Sequence, residues 1–485
     1  MASAKRQRVD RPDPRDVGEE GAEVEGELPE EQRRLLQWLR RSGATIDLLR
    51  FRRSSWGGTG AFASQQCPPG TVLATIPAAC VLTADKAWAS PLGVALREAA
   101  AEWGLTGLCS PEVVLWVYMI VGREDSKHPF FPYLKSLPGE SPDPVTWPQQ
   151  LQDELASTPA GPAIAEARAH VRQVHETFTA RLGSHSRVAP FLAGGLPGGG
   201  SVELSEAGLL WARGMVLSRA FSPALMGGEA SNTATADEAR GLAKMGCLVP
   251  GLDLTNHKLN QPVSWESHPA ASSASSTDSE TAPSPAHTCL DVSFRTLEGL
   301  EEGSEVFNNY GARPNEELLF SYGFTIRNNV NDAVLVSLVT GQEGQASQTQ
   351  KHYVKRSSEG GVPLELLHAL AQMSGATDDD EGEERGEASE KEHSGEAAEA
   401  GAIEIGAEEV ELLLDALKRK LIPLLSSRGE DRRRLSHGQP GQAGQSQSPA
   451  AEAEDPRLLT ISMYREGQRE VLEDATRDLE SLLAG

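Results

Sequence analysis

The chain of 485 residues has few cysteines, and no two of them are spaced as metal ligands. The five are Cys67, Cys80, Cys109, Cys247 and Cys289, with no CxxC or CxC pair among them. This scatter argues against a disulfide framework and a zinc cluster, and it predicts a reducing intracellular compartment. No apolar stretch approaches the length of a membrane span, so no membrane segment is expected.

The chain also lacks a basic face, although its net charge of −25 is large. Residues 378–411 carry a net −13 and residues 16–31 a net −8, so these two stretches account for most of the charge. Acidic runs of this kind are typical of solvated, disordered segments, and no nucleic-acid partner is expected. The first sixteen residues contain no apolar signal-peptide core, which predicts the cytoplasm, the nucleus or both rather than a plastid. The basic cluster at residues 5–8 is either a nuclear signal or a solvated run.

Changes in sequence pattern predict three parts of the chain. Residues 1–28 form an acidic head, residues 29–330 combine β-rich pieces with a helical insert at about 84–221, and residues 331–485 are mainly helical. Surface insertions poor in apolar residues are predicted at 267–288, 378–401 and 427–456.

Three helices have clear sequence signals. Residues 29–43 form an amphipathic pattern that ends at Gly43, and Ser110-Pro111 supplies a capping hydroxyl and a first-turn proline before EVVLWVYMIV. The last pattern, YREGQREVLEDATRDLESLL, has an apolar stripe that is typical of a helix-bundle core. The stripe consists of Val471, Leu472, Ala475, Leu479, Leu482 and Leu483.

The most informative segment is residues 307–324, FNNYGARPNEELLFSYGF. NNYG and RPN are turn signals, and the apolar run after them favours a short buried helix. Tyr310 and Tyr322 can therefore be structural, or they can face one cavity from two directions. The pattern N-Y-G-x-[RK]-x-N-x-E-L-L-x-x-Y-G-F resembles the C-terminal signature of SET-domain protein methyltransferases. Within that family it is most similar to the branch typified by the Rubisco large-subunit lysine methyltransferase.

This resemblance implies an α+β SET fold, with short β-sheets, a pseudoknot-like C-terminal segment and a helical insert, followed by an all-α substrate-binding domain. It implies an S-adenosylmethionine-dependent protein-lysine N-methyltransferase that acts on a folded non-histone protein. Tyr310 would then be the catalytic residue at the methyl group and would also contact the cofactor, and Tyr322 would line the substrate tunnel. The expected partner is the protein that bears the target lysine, the chain is expected to be a monomer, and no metal is required.

The stretch CLVPGLDLTNH, residues 247–257, places three polar side chains within five residues after an apolar strand end. Taken singly, such residues commonly cap turns, and D-x-x-N-H supplies too few strong ligands for a metal site. The stretch resembles the family's V-P-x-x-D-[ML]-x-N-H motif. The resemblance implies that Asn256 and His257 hold the adenine and methionine ends of S-adenosylmethionine and that Asp253 lines the substrate channel.

The sequence WARGMVLSRAF contains Ser218, Arg219 and Phe221, which resemble the family's S-R-x-F element. The resemblance implies that Ser218 and Arg219 lie at the cofactor, with Arg219 near its carboxylate and the substrate entry. An arginine beside a carboxylate is a natural bidentate pair. Phe221 would form a tunnel wall, and because a histidine-directed member of the branch has a polar residue there, Phe221 favours lysine as the acceptor. A histidine-directed methyltransferase is retained as an alternative.

The glycine loop GGTGAFA resembles the family's E-G-x-G-L-x-A, in which Gly58, Thr59 and Gly60 would approach the cofactor. Glycine permits such an approach, although GGTG is also an ordinary turn. Gly57 and Ala61 replace the family's acidic and bulky apolar residues, and Pro314 replaces its usual serine. These departures leave open a second alternative, a SET-like binding or scaffold protein that has lost catalysis.

Overall fold

The computed structural model describes seven stretches of the chain: residues 28–192, 202–226, 246–269, 290–340, 348–374, 405–437 and 454–484. The chain forms two compact units. The first comprises Met1–Pro142 and Ala167–Ala312, and the second comprises Asp143–Glu166 and Arg313–Gly485. The change of unit at residue 313 comes earlier than the predicted domain boundary at residue 330. The predicted acidic head, apart from Leu28, and the predicted insertion at 378–401 lie outside the described residues.

Among the described residues, the first unit contains nine short strands. They are β1 Leu49–Arg53, β2 Thr59–Ala63, β3 Val72–Ile76, β4 Leu82–Thr83, β5 Ala220–Phe221, β6 Cys247–Leu248, β7 Val263–Pro269, β8 Leu290–Thr296 and β9 Glu305–Val306. They form three antiparallel sheets in the orders β1-β2-β9, β3-β8-β7 and β4-β6-β5. Strand β1 follows the period of two, because Leu49 and Phe51 are buried between arginines. Each of the three sheets pairs strands far apart in sequence, and this brings the conspicuous motifs together.

The helices that begin before residue 220 are α1 Glu30–Arg41, α2 Ala84–Ala89, α3 Pro91–Glu102, α4 Pro111–Glu124, α5 Phe131–Ser136, α6 Gln149–Leu155, α7 Ala160–Ala180, α8 Ala189–Leu192 and α9 Glu206–Arg219. The predicted amphipathic helix is confirmed as α1, which buries its three leucines. The predicted start of α4 is also confirmed, since the Ser110 hydroxyl accepts a hydrogen bond from the Val113 backbone N at 3.3 Å. Helix α4 is buried on all sides and lies in the core of the first unit.

The second unit continues with α10 Asn315–Tyr322, β10 Ala333–Thr340, β11 Gln348–Lys355, α11 Leu364–Ser374, α12 Ala407–Leu425, α13 Arg428–His437 and α14 Pro456–Ala484. The expectation of an all-α domain is wrong in one respect, because β10 and β11 form an antiparallel pair. The sequence AVLVSLVT is rich in β-branched residues and buries Val334 and Val336 on one face, which is a strand pattern. Helix α13 occupies the beginning of the stretch predicted as an insertion at 427–456.

The core of the second unit joins α14 to the β10–β11 pair, α11 and α12. The predicted apolar stripe of α14 supplies Val471, Leu472, Ala475 and Leu479, which are at most 1% exposed. Leu482 does not belong to this core, since it is 64% exposed near the end of the helix. The stripe prediction is therefore correct for its first three turns and wrong for Leu482.

A buried carboxyl connects the start of α10 to β10. Asp332 accepts hydrogen bonds from the backbone N and the side-chain Nδ2 of Asn315, both at 3.0 Å. Burial outweighs these bonds and raises the pKa of Asp332 to about 6. The connection explains why the chain enters the second unit just before α10 and not at residue 330.

Asp332→Asn is expected to flatten the dependence of stability on pH. The folded-state pKa is raised from 3.8 to about 6, so the stabilising contribution is fully present below pH 3.8 and is lost as the pH rises through about 6. Across this window the free energy of unfolding of the wild type should fall relative to the variant by roughly 2–3 kcal/mol. Denaturant unfolding of both proteins at several pH values between 4 and 7 measures this difference. A difference that stays constant with pH would contradict the raised pKa.

Candidate active site

Two segments distant in sequence run side by side in the first unit and carry the conspicuous side chains. His257 and Asn308 form a parallel bridge, in which the Asn308 backbone N donates to the Asn256 carbonyl at 2.8 Å and the Lys258 backbone N donates to the Asn308 carbonyl at 2.9 Å. The Tyr310 backbone N then donates to His257 Nδ1 at 3.1 Å, and the two rings stack with centroids 4.9 Å apart. The structure thus brings the Asn-His pair and the first tyrosine into direct contact.

The Tyr310 hydroxyl is held in one orientation by the backbone. It donates a hydrogen bond to the Thr255 carbonyl at 2.9 Å. A phenol oxygen that donates its own proton can still accept through its lone pairs. The ring contact with His257 and the bond to Thr255 together fix where this oxygen lies.

Asp253 forms the centre of a buried polar cluster beside this segment pair. It lies in the 3-10 turn Leu252–Leu254, and its side chain is 1% exposed. Its Oδ2 accepts from the Tyr133 hydroxyl at 3.0 Å and from Arg219 Nη1 at 3.1 Å, while its Oδ1 accepts from the Gly251 backbone N at 3.0 Å. Arg219 Nη1 also donates to the Asp253 carbonyl at 3.1 Å. Asp253 is therefore the counterion that positions Arg219, and its predicted place in a substrate channel stays a prediction.

The cluster keeps Arg219 charged and Tyr133 neutral. Burial acts against the charged guanidinium, but the Asp253 carboxylate outweighs it, so the pKa of Arg219 is raised. Burial and the same carboxylate raise the pKa of Tyr133 well above its ordinary value. The Nε of Arg219 is buried and has no hydrogen-bond partner among the described residues. A charged, buried donor of this kind suits the carboxylate of a ligand.

Within the described stretches, Ser218, near the end of α9, makes no hydrogen bond to the Asp253 cluster that holds the adjacent Arg219. Its hydroxyl donates to the Gly214 carbonyl one turn earlier at 2.7 Å. This bond engages the side chain within its own helix, and the predicted role of Ser218 at the cofactor stays a prediction.

The glycine loop is joined to the Asn-His pair through Glu305. Gly57 and Gly58 adopt φ values of +102° and +63°, which suit glycine. Asn256 Nδ2 donates to Glu305 Oε1 at 2.7 Å. A Cβ added to Gly60 would lie 2.5 Å from that oxygen and 3.2 Å from Asn256 Nδ2. Gly60 thus leaves room for the bond that orients Asn256, and the Thr59 hydroxyl donates outside the loop to Gln32 Oε1 at 2.7 Å.

Gly60→Ala is expected to weaken by roughly tenfold the S-adenosylmethionine binding that the motif resemblance implies, because the new methyl group displaces the Glu305 carboxylate and releases Asn256. Calorimetric titration of the variant measures the dissociation constant. The matched control is Gly139→Ala in the same unit, where an added Cβ meets no atom within 4 Å. Equal affinities of the two variants would contradict the role assigned to Gly60.

Three aromatic rings form an apolar surface, here called the apolar wall, beside the segment that contains Asn308. The Phe221 ring lies 4.6 Å from the Trp265 ring between centroids, and Trp265 stacks on Phe294 at 4.2 Å. Trp265 Nε1 donates to Asn308 Oδ1 at 3.0 Å, which ties the wall to the residue that bonds the Asn-His segment. The wall combines one residue that the sequence analysis identified with two that it did not.

Tyr322 is the last residue of α10 and belongs to the second unit. Its ring lies 6.0 Å from that of Phe324, and burial raises the pKa of its hydroxyl. Its predicted place in the substrate tunnel stays a prediction.

The sequence analysis missed several residues of the site, among them Tyr133, Glu305 and Trp265. Tyr133 lies in the aromatic stretch HPFFPYLKSLP, which has the composition of a rigid segment but no chemical signature. Glu305 is one of several glutamates in residues 298–305, and nothing in the sequence distinguishes it from the others. Trp265 is one aromatic residue in the strand VSWESHP, and strand periodicity is the signal that could have found it.

Every helix in the part of the chain that the structure describes is too short or too polar to span a lipid bilayer. The same residues contain no group of three or more His, Cys, Asp and Glu side chains placed to hold a metal ion.

Sequence comparison places the chain beside lysine methyltransferases, although no protein-family model matches it. N-lysine methyltransferase SETD6 of Bos taurus is 23% identical over 321 residues, which are 65% of this chain and 62% of that protein. Ribosomal lysine N-methyltransferase set10 of Schizosaccharomyces pombe is 25% identical over 231 residues, which are 47% of this chain and 34% of that protein. Protein-lysine N-methyltransferase EFM1 of Saccharomyces cerevisiae is 26% identical over 325 residues, which are 61% of this chain and 50% of that protein. The chain spans less than two thirds of the length of each relative.

Structural comparison covers more of the chain. The SET domain of LSMT bound to lysine and AdoHcy matches 93% of this chain and 91% of its own, with a TM-score of 0.65 and 17% identity. Rubisco LSMT bound to AdoMet matches 94% and 93%, with a TM-score of 0.63 and 17% identity. These matches confirm the predicted α+β fold, since the chain has the fold of the SET domain of LSMT, and its sequence is similar to lysine methyltransferases, as the motifs indicated.

Proposed function

We propose that the chain is an S-adenosylmethionine-dependent protein-lysine N-methyltransferase that acts on a folded non-histone protein. The observation that carries this proposal is the fixed Tyr310 hydroxyl, bonded to the Thr255 carbonyl on the segment that also bears the Asn-His pair. The names of the three relatives, all lysine methyltransferases, support the same activity. The ligands named for the matching structures, lysine with AdoHcy and AdoMet, support the same pair of reactants.

The residues present fit S-adenosylmethionine, which supplies a methyl group activated on a sulfonium. Gly60 leaves room for the Glu305 carboxylate, which accepts from Asn256 Nδ2 and orients that amide. Arg219 offers a charged guanidinium with a buried Nε to a carboxylate. The residues proposed to hold the cofactor are Gly58, Thr59, Gly60, Ser218, Arg219, Asn256, His257 and Tyr310.

The remaining residues prepare the acceptor amine. A lysine with a pKa of about 10.4 loses its proton at pH 7 at a cost of about 4.6 kcal/mol. An apolar wall such as Phe221 with Trp265 lowers this cost because it disfavours the ammonium form. The Tyr310 oxygen can accept a weak hydrogen bond from the amine or from the polarised methyl group, and it thereby aligns the amine lone pair for in-line attack.

The proposal extends to partners and location. The partner is the protein that bears the target lysine, and the chain acts as a monomer in the cytoplasm, the nucleus or both. The net charge of −25 supports an enzyme without a nucleic-acid partner.

Calorimetric titration of the full chain with S-adenosylmethionine separates this proposal from a scaffold that has lost catalysis. Saturable binding, with transfer of the methyl group to protein in a cell extract, is the expected result. A chain that folds but gives no binding heat and no transfer would favour the scaffold.

A further inference from the structure

Trp56 is the most exposed large apolar side chain in the part of the chain that the structure describes. It is 73% exposed, whereas the next most exposed, Ile422 and Leu482, are each 64% exposed. A tryptophan can bury 150–250 Å² against a partner, so an indole left in water is a large unused apolar surface.

The backbone of Trp56 is tied to the network that orients Asn256. Its backbone N donates to the Ser54 hydroxyl at 3.0 Å. That hydroxyl donates in turn to the two carboxylate oxygens of Glu305, at 2.9 and 3.0 Å, and Glu305 accepts from Asn256 Nδ2. The exposed indole therefore stands at the glycine loop, two hydrogen-bonded residues away from Asn256.

The indole also has a fixed aromatic neighbour on the second segment. The rings of Trp56 and Phe307 meet at 86° with centroids 6.3 Å apart, a T-shaped contact. Lys258, next to His257, places its Nζ 5.6 Å from the Phe307 ring centre. The contact joins the glycine loop to the segment that bears Asn308 and Tyr310, and most of the indole stays accessible.

We propose that the indole of Trp56 packs against the adenine ring of S-adenosylmethionine. This inference rests on the proposed function and adds a residue to its cofactor site. The charged amino-acid end of the cofactor suits Arg219, and its methyl group suits Tyr310. The remaining part, adenine, is a flat and uncharged ring that can stack on an aromatic side chain. The aromatic pair of Trp56 and Phe307 lies beside the Glu305–Asn256 hydrogen bond and offers such a surface. Gly57 and Gly58 adopt positive φ values, which glycine takes without strain, so the chain can turn sharply between Trp56 and Gly60.

The test compares full-length Trp56→Ala and Trp56→Phe with the wild type, in binding rather than turnover. Calorimetry with S-adenosylhomocysteine should show a dissociation constant roughly 10- to 100-fold higher for Trp56→Ala, the range expected from loss of one base–aromatic contact. For Trp56→Phe the dissociation constant should rise only a few-fold, because a smaller flat ring remains. The affinity for 5′-methylthioadenosine, which keeps the adenine but lacks the amino-acid end, should fall by the same factor as that for S-adenosylhomocysteine. The matched control is Trp103→Ala, a half-exposed tryptophan of the same unit whose ring packs on His185; it should bind as the wild type does.

Each outcome decides a different question. Failure of the wild type to bind S-adenosylhomocysteine overturns both this inference and the proposed function. Normal wild-type binding with unchanged affinity in Trp56→Ala overturns this inference alone. A loss confined to S-adenosylhomocysteine and absent with 5′-methylthioadenosine, or an equal loss in Trp103→Ala, also contradicts a contact between Trp56 and adenine.

Discussion

Tyr310→Phe should lower kcat for methyl transfer by about 10²-fold, the loss typical of a reacting pair that is no longer held in alignment. The Tyr310 hydroxyl lies at a fixed point, because it donates to the Thr255 carbonyl at 2.9 Å and its ring stacks on His257. Removing the oxygen removes the acceptor that orients the amine, while the ring and the backbone bond to His257 remain. Steady-state kinetics with S-adenosylmethionine and an acceptor protein measure the change.

Two controls make the Tyr310→Phe result specific. Loss of the bond to Thr255 should cost only about 1 kcal/mol of stability, so the variant should unfold only a few degrees below the wild type. Tyr118→Phe removes a phenol from α4 in the same unit and should leave kcat unchanged. Turnover by Tyr310→Phe at the wild-type rate would sink the role proposed for this hydroxyl.

Asp431→Ala should destabilise the protein by about 3–5 kcal/mol, because it removes the carboxylate that two buried arginines share and leaves them only Glu154 and Glu466 as acidic partners. The Asp431 carboxylate is 0% exposed and accepts from Arg465 Nη2 at 2.7 Å and Arg469 Nη1 at 2.8 Å. Those two arginine side chains are 4% and 1% exposed. The hydroxyls of Ser462 and Ser427 complete the site with bonds of 2.9 and 3.1 Å. This cluster joins α13 to α14 inside the second unit.

Urea unfolding followed by circular dichroism measures the effect of Asp431→Ala. The matched control is Asp415→Ala on α12, which removes an exposed partner of Arg419 and should change stability by less than about 1 kcal/mol. If Asp431→Ala is no more destabilising than Asp415→Ala, the buried cluster is not a source of stability.

Local signals predicted the helices well and the strands less completely. Helix α4 was predictable because Ser110 and Pro111 act within one turn of the helix they start. The β10–β11 pair was missed because the apolar run AVLVSLVT is compatible with a buried helix as well as with a strand. Only its pairing with β11, which begins after residues 341–347, shows that it is a strand. Leu482 continues the apolar period of α14 but is exposed. Burial near the end of a helix depends on whether a neighbouring helix or strand packs there, and the sequence of α14 does not contain that information.

The candidate site likewise contains residues that the sequence could identify and residues that only the fold reveals. The motifs around Tyr310, His257 and Arg219 were found through their resemblance to a known family. The structure brings Tyr310 against His257 and pairs Arg219 with Asp253 of the same segment. Glu305 and Trp265 were not found, because their roles come from β9 and β7, which place single residues against distant partners. The substitutions at Gly57 and Ala61 suggested a weakened loop. The structure shows Gly60 fitted closely to Glu305 and Asn256, with Trp56 exposed in the same loop, and the effect of Gly57 and Ala61 on cofactor affinity stays a prediction.

The most direct measurement of the central claim uses the wild type and Tyr310→Phe side by side with methyl-labelled S-adenosylmethionine and a cell extract. Tandem mass spectrometry then identifies the amino acid that carries the label. The expected result is methyllysine in a folded non-histone protein with the wild type, and little or none with the variant. Label on histidine would contradict the argument from Phe221, and equal labelling of lysine by both proteins would contradict the site built around Tyr310.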